Sequence, residues 1–282
     1  MKKESLKAEL RQLNFPKDSI IFITINTGAI GYFRKNKSET YNDLLEILIS
    51  ILDLKKGGII FAAYTKGSFL LKPTRTFSKR SKSYAGNFIN YLIKHKAIYR
   101  SQHPFESYIG LGKRAEEVLK SHDSESGPYT IFNSFIEKNN SYYLMIGTWN
   151  DGKNAPPSLH HCQEILGLTR KFTFKYFEKI YHQEMKRIFL RKQSGGCSKG
   201  GKKLAIELLE KKIAQQFKFG NANSIIIDPT ASFIYTLEKL KKDEKAYVCE
   251  DSNCLSCRGN YYNNPLRFVQ IILHKLRQKI FR

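Results

Sequence analysis

The chain has 282 residues, of which 41% are hydrophobic and 13% aromatic, enough for one large domain or a domain with an appended module. It lacks an apolar run of about 18 residues and an apolar N-terminal core, which argues against a spanning helix and a signal peptide and predicts a cytoplasmic protein. The formal net charge of +23 predicts anionic partners, although a general bias towards lysine would explain the excess as well.

The N-terminal part alternates between helical and strand patterns. Leucines at helical spacing predict a helix over residues 2–13, and the β-branched run 19–25 predicts a buried strand. Residues 39–54 place their apolar side chains on one helical face, and residues 59–63 form a second apolar strand. A strand, a helix and a strand in this order predict a parallel sheet covered by helices.

The rest of the chain mixes both periods. Residues 66–84 show little periodicity and predict a loop over a site. The other predicted elements are a helix at about 86–95, strands at 129–136 and 142–147, a helix from Ser158, a helical segment within 170–192, a helix at about 202–218, a strand at 224–228 and a terminal basic amphipathic helix from Leu266 to Arg282. The predicted fold class is therefore α/β, with a central mostly parallel or mixed sheet flanked by helices and a divergent basic C-terminal part.

The segment from Gly147 to Glu164 carries the first candidate for chemistry. It combines a strand end, a polar loop and a helix start, where side chains can face a ligand while the backbone is held. His161 and Glu164 are three residues apart and therefore neighbours on one helical face. An imidazole can take the proton from an attacking amine, and a carboxylate beside it would orient the ring. A solvent-exposed surface pair is the alternative interpretation.

Two motifs resemble the aminoglycoside 3-N-acetyltransferase family. The family's Arg-Ser-x-His-Pro-x-x-Ser block is similar to residues 100–107, which a glycine-containing segment and a helix follow. Its Thr-x-x-His-x-x-Glu pattern is similar to residues 158–164, with Ser158 at the Thr position, His161 at the catalytic His and His160 as a non-catalytic neighbour. The order of segments around Gly31, Gly57-Gly58, Tyr64-Thr65 and Gly127-Pro128 is also similar. The resemblance spans residues 20–167 and continues more weakly to about 248.

The resemblance implies an acetyl-coenzyme A dependent N-acetyltransferase with an acetyltransferase-like α/β domain over residues 1–248 and a Cys-containing basic extension over 249–282. It implies that His161 is the general base and that Glu164 orients it or holds the substrate. The residues it assigns to coenzyme A are Asn26, Thr27, Gly28, Gly31, Tyr64, Arg100 and Ser101. The residues it assigns to the acceptor substrate are His103 and Ser158.

The end of the first strand departs from the family. Relatives carry a His-Ser-Ser-Leu loop where this chain reads Thr24-Ile-Asn-Thr27, so the hydroxyls expected near the coenzyme are partly replaced. Asn26 and Thr27 can still donate hydrogen bonds, and Gly28 and Gly31 would let the backbone approach a pantetheine or a phosphate. An ordinary turn from strand to helix is the alternative.

The acceptor is predicted from charge. Aminoglycosides are polycations, which a chain of charge +23 repels, so an amino sugar on a nucleotide diphosphate or a lipid pyrophosphate is the preferred acceptor. This favours surface polysaccharide biosynthesis over antibiotic resistance. It also favours a cytoplasmic location at the inner face of the membrane, with the terminal helix either on an anionic lipid surface or in the core.

The alternative function is a non-catalytic protein that keeps the fold and binds nucleic acid or a membrane through the basic and aromatic residues of 170–192. A pure binding module has no reason to keep His103, His161 and Glu164 converging on one pocket. Nucleic acid is therefore the disfavoured partner.

The cysteines are predicted to be reduced, and no metal is assigned. Cys249, Cys254 and Cys257 are only candidates for a zinc or iron-sulfur site, which Cys197 or a histidine would have to complete. The glycine-rich segment 194–201 has the spacing of a phosphate-binding loop, but a lysine stands where a Ser or Thr should bind magnesium. A flexible basic connector is the favoured interpretation of that segment.

Overall fold

A computed structural model of the chain describes residues 2–96, 98–168, 178–192, 197–254, 257 and 265–280. The strands in these ranges are β1 (Ile20–Ile25), β2 (Gly58–Ala62), β3 (Ser68–Phe69), β4 (Arg75–Phe77), β5 (Tyr99–Arg100), β6 (Tyr108–Leu111), β7 (Ser141–Ile146), β8 (Glu178–His182), β9 (Arg187–Leu190), β10 (Ala214–Phe219) and β11 (Ala222–Ile227). The helices are α1 (Lys3–Arg11), α2 (Thr27–Ile30), α3 (Lys37–Ile49), α4 (Asn87–His95), α5 (Lys113–Lys120), α6 (Ile131–Ile136), α7 (Pro157–Ile165), α8 (Gly201–Glu210), α9 (Pro229–Lys242) and α10 (Pro265–Ile280).

The central sheet is mixed and has seven strands among the described residues, in the order β10-β11-β7-β1-β2-β6-β5. β1 pairs in parallel with both β2 and β7, whereas the outer strands pair antiparallel. The predicted fold class is confirmed. Because the three parallel strands lie in the middle of the sheet, their carboxyl ends open onto a common edge.

Helices cover both faces of this sheet. Ile21 and Ile23 of β1 face one core with helices α1, α3 and α4, while Ile20 and Phe22 face a second core with α5 to α9. Burial on both sides explains why β1 reads as a continuous apolar run rather than an alternating one. The predicted strand–helix–strand start of the chain is confirmed.

A smaller sheet lies beside the main one. Strand β8 pairs with β3, β4 and β9, and its apolar core consists of Phe77, Phe105, Ile180 and Phe189. Residues 66–84 therefore contain two short strands rather than only a loop. The described part of 170–192 is a pair of strands instead of the predicted helix; residues 169–177 and 193–196 lie outside the described part of the chain.

Two further elements differ from the sequence predictions. The predicted strand at 129–136 is the short helix α6, in which Ile131, Phe132 and Phe135 are buried at helical spacing. The helix predicted over 202–218 ends at Glu210, because Lys212 takes a left-handed conformation with φ 58° and the chain continues as β10. Neither glycine nor proline marks this end, so the usual stop signal is missing.

The terminal helix α10 exposes most of its described apolar side chains. Leu266 is 77% exposed, while Ile271 is buried. Val269, Leu273 and Leu276 are exposed as well. The core interpretation therefore fails for these side chains, and contact with an anionic lipid surface remains a prediction. Among the described residues, none of the helices is long and apolar enough to cross a membrane.

Candidate active site

A cavity of about 510 Å³ opens at the carboxyl ends of the parallel strands. Thr24 of β1 and Tyr64, just after β2, form one side of it. His160, from the first turns of α7, and Ser198 form the other side. We call this space the strand-end cavity, and its position is the usual one for ligands in open α/β sheets.

His160 is the histidine that lines the strand-end cavity. Its Nδ1 lies 2.9 Å from Oε1 of Gln163, and its Nε2 lies 3.2 Å from Oγ of Ser198. The ring packs on Tyr129 with centroids 5.3 Å apart. An amide oxygen can only accept, so Nδ1 carries the proton and Nε2 presents its lone pair beside Ser198.

His161 lies on a different face of α7, about 100° around the helix, and is 1% exposed. Its Nε2 is 2.6 Å from Oδ1 of Asn133, and its ring packs between Phe132 and Phe233. Burial lowers the pKa of His161 to about 4, so the imidazole is neutral. Within the described part of the chain, its Nδ1 has no hydrogen-bond partner. The structure therefore does not place the predicted general base at the strand-end cavity.

The hydrogen bond described for Glu164 joins it to the backbone of Tyr129 and not to His161. Its Oε2 accepts a hydrogen bond of 2.8 Å from the backbone N–H of Tyr129, the residue that stacks on His160. Burial raises the pKa of Glu164 to about 7. Glu164 thus helps to position the ring that covers His160, whereas Gln163, which the sequence reading passed over, holds His160 directly.

Arg100 and Ser101 do not reach the strand-end cavity, although both were assigned to coenzyme A. The Arg100 guanidinium is buried and donates to Ala63 O, Thr65 Oγ1 and Ser107 Oγ, as well as to carbonyls of the 79–81 segment. Because protein acceptors surround it, Arg100 ties the loop after β2 to β5. Of Tyr64, Arg100 and Ser101, all predicted to contact coenzyme A, only Tyr64 lines the cavity.

His103, which lies in the motif at residues 100–107, belongs to a network of neutral histidines. Its Nδ1 accepts hydrogen bonds from the backbone N–H groups of Phe105 and Glu106, and its ring stacks on His122 at 5.1 Å. Burial holds the pKa of His103 well below its usual range and lowers that of His122 to about 4. Ser101 links the pair to the strand, because its Oγ accepts from Tyr108 N and lies 3.1 Å from His122 Nδ1.

His103 nevertheless lines a second cavity of about 420 Å³, formed with the 124–128 segment and β9, which we call the loop cavity. Glu106 lines both cavities and pairs with the buried Arg191. Arg191 also pairs with Glu178, at 2.7 Å. Glu106 lies within residues 100–107, which resemble the family's Arg-Ser-x-His-Pro-x-x-Ser block, so its position in the sequence could have identified it as a candidate site residue.

Ser158, assigned to the substrate, is fully buried between α7 and α9. Its Oγ lies 2.6 Å from Oγ of Ser232 and accepts a 3.3 Å bond from Thr236. These bonds join the two helices, so Ser158 stabilises packing and does not face the strand-end cavity.

The predicted coenzyme loop lies next to the cavity, at the end of β1. Asn26 caps the short helix α2 by accepting from Ala29 N, and Gly31 ends that helix with φ 72°. The positive φ favours glycine there, and a Cβ on Gly31 would also displace the Asn221 side chain, whose Nδ2 would lie 2.3 Å away. Thr24, which lines the cavity, lies 2.7 Å from Thr148 Oγ1. Thr27 and Gly28 complete this turn, which fits the alternative of an ordinary strand-to-helix connection.

Comparison with known proteins identifies the fold and the family. The aminoglycoside 3-N-acetyltransferase family matches residues 64–241. The chain belongs to this family. Its members are N-acetyltransferases, and acetyl-coenzyme A fits the family as the co-substrate, so the predicted enzyme class and acetyl donor are confirmed. The non-catalytic alternative loses its support.

Solved structures of similar fold include other acetyltransferases. A mutant of the aminoglycoside acetyltransferase AAC(3)-IVa in complex with gentamicin shares 15% identity over 93% of this chain and 96% of that one, with a TM-score of 0.74. The YokD protein from Bacillus subtilis shares 13% identity over 86% and 94%, with a TM-score of 0.69. AAC-IIIb, solved as a binary complex with CoASH, shares 16% identity over 86% and 97%, with a TM-score of 0.67. No curated protein matches the chain significantly.

Proposed function

We propose that this family member transfers an acetyl group from acetyl-coenzyme A directly to the amine of an amino sugar, with His160 as the general base. The supporting observation is the orientation of α7, which directs His160 into the strand-end cavity and His161 into the packed core. Both residues are histidines with the same intrinsic chemistry, so the direction in which each side chain points decides which of them could act as the base.

The hydrogen bonds of His160 suit it to move a proton. Nδ1–H donates to Gln163, which fixes the tautomer and leaves the lone pair of Nε2 facing the Ser198 hydroxyl at the cavity wall. As the amine nitrogen bonds to the thioester carbonyl carbon, Nε2 takes the proton that the nitrogen loses. It then returns that proton to the departing sulfur. No acetylated side chain is needed in this sequence of steps.

We place the acyl donor at the carboxyl ends of β1 and β2, next to Thr24 and Tyr64. The turn of Asn26, Thr27, Gly28 and Gly31 borders this end of the sheet and remains our proposed contact with the coenzyme. Lys153, on the cavity wall, is a cation that an anionic part of the donor or the acceptor would reach.

The charges around the two cavities support a phosphate-bearing acceptor. Glu106 is paired with Arg191, and Glu125 lies within 2.8 Å of Lys192 and also pairs with Arg187. Acidic groups already matched by cations offer less attraction to a polycation such as gentamicin. We therefore propose an amino sugar carried on a nucleotide or a lipid, as in polysaccharide biosynthesis at the inner, cytoplasmic face of a membrane.

The test is a competition among three acceptors: a nucleotide-linked amino sugar, a lipid-linked analogue and an aminoglycoside, each assayed at about 50 and 200 mM salt. Salt screens attraction between separated charges over about 10 Å, so the apparent KM of the phosphate-bearing acceptors should rise clearly with salt. Efficient acetylation of the aminoglycoside alone would overturn the acceptor class and leave His160 as the base. Binding of coenzyme A without acetylation of any of the three would refute the acceptors proposed.

A further inference from the structure

Four thiols from two distant parts of the chain converge beside the strand-end cavity. The Sγ atoms of Cys197, Cys249, Cys254 and Cys257 all lie within 4.8 Å of one another. The last three are buried, and Cys197 is partly buried. Cys254 and Cys197 have their sulfurs 3.6 Å apart, much farther than the roughly 2.05 Å of a disulfide.

The size of this group fits a single metal ion. A tetrahedral zinc with Zn–S bonds of about 2.3 Å holds its sulfurs about 3.8 Å apart, close to the spacing found here. An iron-sulfur cluster attaches its thiolates to different iron atoms and spreads them more widely. A set of four thiolates with no open position is the usual composition of a structural zinc site.

We propose that Cys197, Cys249, Cys254 and Cys257 bind one structural zinc ion, which joins the segment 197–201 to residues 249–254 and Cys257. Neighbouring contacts already bring these segments together. Lys199 pairs with Asp251 at 3.0 Å. Its positive charge therefore lies close to the place where four zinc-bound thiolates would concentrate negative charge.

The site would also fix one wall of the strand-end cavity. Ser198 follows Cys197 directly and contacts Nε2 of His160. Gly200 and Gly201, which follow Lys199, are packed too closely for any side chain. A Cβ on Gly200 would lie 1.9 Å from Tyr247 O, and one on Gly201 would lie 2.3 Å from the Cβ of Ala155 at the cavity.

The zinc therefore holds Ser198 against His160. The effect of this contact on catalysis rests on the proposed function, whereas metal binding does not depend on it. Without the metal, segment 197–201 would keep its packing against Tyr247 and Ala155 and the Lys199–Asp251 pair, but Cys197 would no longer be anchored to the other three cysteines.

The experiment compares the full-length protein, purified under reducing conditions, with two serine variants. We expect about one zinc per chain in the wild type by elemental analysis, and strong visible absorption of tetrahedral thiolate-bound Co²⁺ after exchange. Cys254→Ser should lose at least about tenfold in metal affinity. The matched control is Cys162→Ser, a buried cysteine outside the cluster whose Sγ contacts Phe233 O, and it should retain one zinc.

Metal removal from the folded wild type gives a readout that does not depend on a well-folded variant. A strong chelator should release zinc and four titratable thiols, and should speed amide hydrogen exchange in 197–203 but not in β1. Acetyl transfer should fall about tenfold and recover when zinc is restored.

A folded wild type that stays metal-free after zinc addition would overturn the proposal, as would disulfides among the four cysteines or stoichiometric iron in place of zinc. One bound zinc without any acetyl transfer would leave the metal site standing and count against the proposed function. Acetyl transfer by a protein that binds no zinc would support the proposed function and overturn the metal site.

Discussion

Helix α7 has two faces that contrast within one short sequence. The cavity face carries His160, whose ring nitrogens contact Gln163 and Ser198. The packed face carries Ser158 and His161, which are buried against α6 and α9. Consecutive residues of a helix are about 100° apart, because a turn takes 3.6 residues, so neighbouring histidines enter different environments.

This contrast separates two interpretations of the motif, one with the base at His161, as predicted from the sequence, and one with the base at His160, as proposed from the structure. Ser158 and His161 are three residues apart and share a face, so an alignment that puts one of them in the core puts the other there as well. Ser158 and His161 are buried together because they pack on the same face of α7. His160 and Gln163, also three residues apart, form the corresponding hydrogen-bonded pair on the face that includes the cavity-lining His160. Five expected outcomes distinguish the two faces.

The largest expected effect is on catalysis at the cavity face. His160→Gln should lower kcat at least about a hundredfold, since general-base catalysis contributes 10²- to 10⁴-fold. His161→Gln is the matched variant on the packed face and should keep kcat within about tenfold. Initial rates of coenzyme A thiol release at saturating substrates measure both. Equal losses in the two variants would refute the division of roles.

The second effect is on the pH dependence of stability. The pKa of His161 is about 4 in the folded protein against about 6.5 when unfolded, so its contribution is present above pH 6.5 and is lost as the pH falls through 4. Relative to His161→Gln, the wild type should lose about 2 to 3 kcal/mol between pH 7 and pH 4 in urea unfolding.

Glu164 should show the opposite sign in the same measurement. Its pKa of about 7 exceeds the unfolded value of 4.5, so its contribution is present below pH 4.5 and is lost as the pH rises through 7. Relative to Glu164→Gln, the wild type should therefore become less stable from pH 4.5 to 7. Identical pH slopes in the wild type and both variants would show that neither group is buried as described.

A smaller catalytic effect is expected at Gln163, which positions His160. Gln163→Ala removes the acceptor for Nδ1–H and should lower kcat about tenfold, the amount that corresponds to about 1.4 kcal/mol. Gln163→Glu keeps the acceptor and adds a charge that favours the imidazolium, so the acidic limb of the pH–rate profile should move to higher pH. An unchanged profile for Gln163→Glu would argue that the two side chains do not interact during turnover.

The smallest effect is expected at Ser158. Ser158→Ala removes the hydroxyl contacts to Ser232 and Thr236 and should reduce the free energy of unfolding by about 1 kcal/mol, with kcat and KM unchanged. Ser232→Ala should cost a similar amount, and the double variant less than the sum because the two share one bond. A raised KM for the acceptor in Ser158→Ala would restore the substrate role first assigned to it.

The elements predicted correctly from sequence are those whose local pattern agrees with their environment. β1 is β-branched and buried on both faces, and α3 carries its leucines on one face, so each element could be recognised without its neighbours. The segment 129–136 was misassigned because a run rich in isoleucine and phenylalanine suits a strand as well as a helix. The segment is recognisable as a helix only because Phe132 and Phe135, at helical spacing, both pack into the second core.

The sequence by itself determined the α/β class, the family motifs and the presence of histidines near the end of a central strand. Tertiary structure decided which histidine faces the cavity, that Arg100 and Ser158 are held by protein partners, and that Cys197 joins three cysteines far along the chain. The physical reason is that strand patterns are local, whereas the direction of a side chain on a helix depends on what packs against it. A rotation of about 100° around α7 separates His160, the proposed base, from the buried neutral ring of His161.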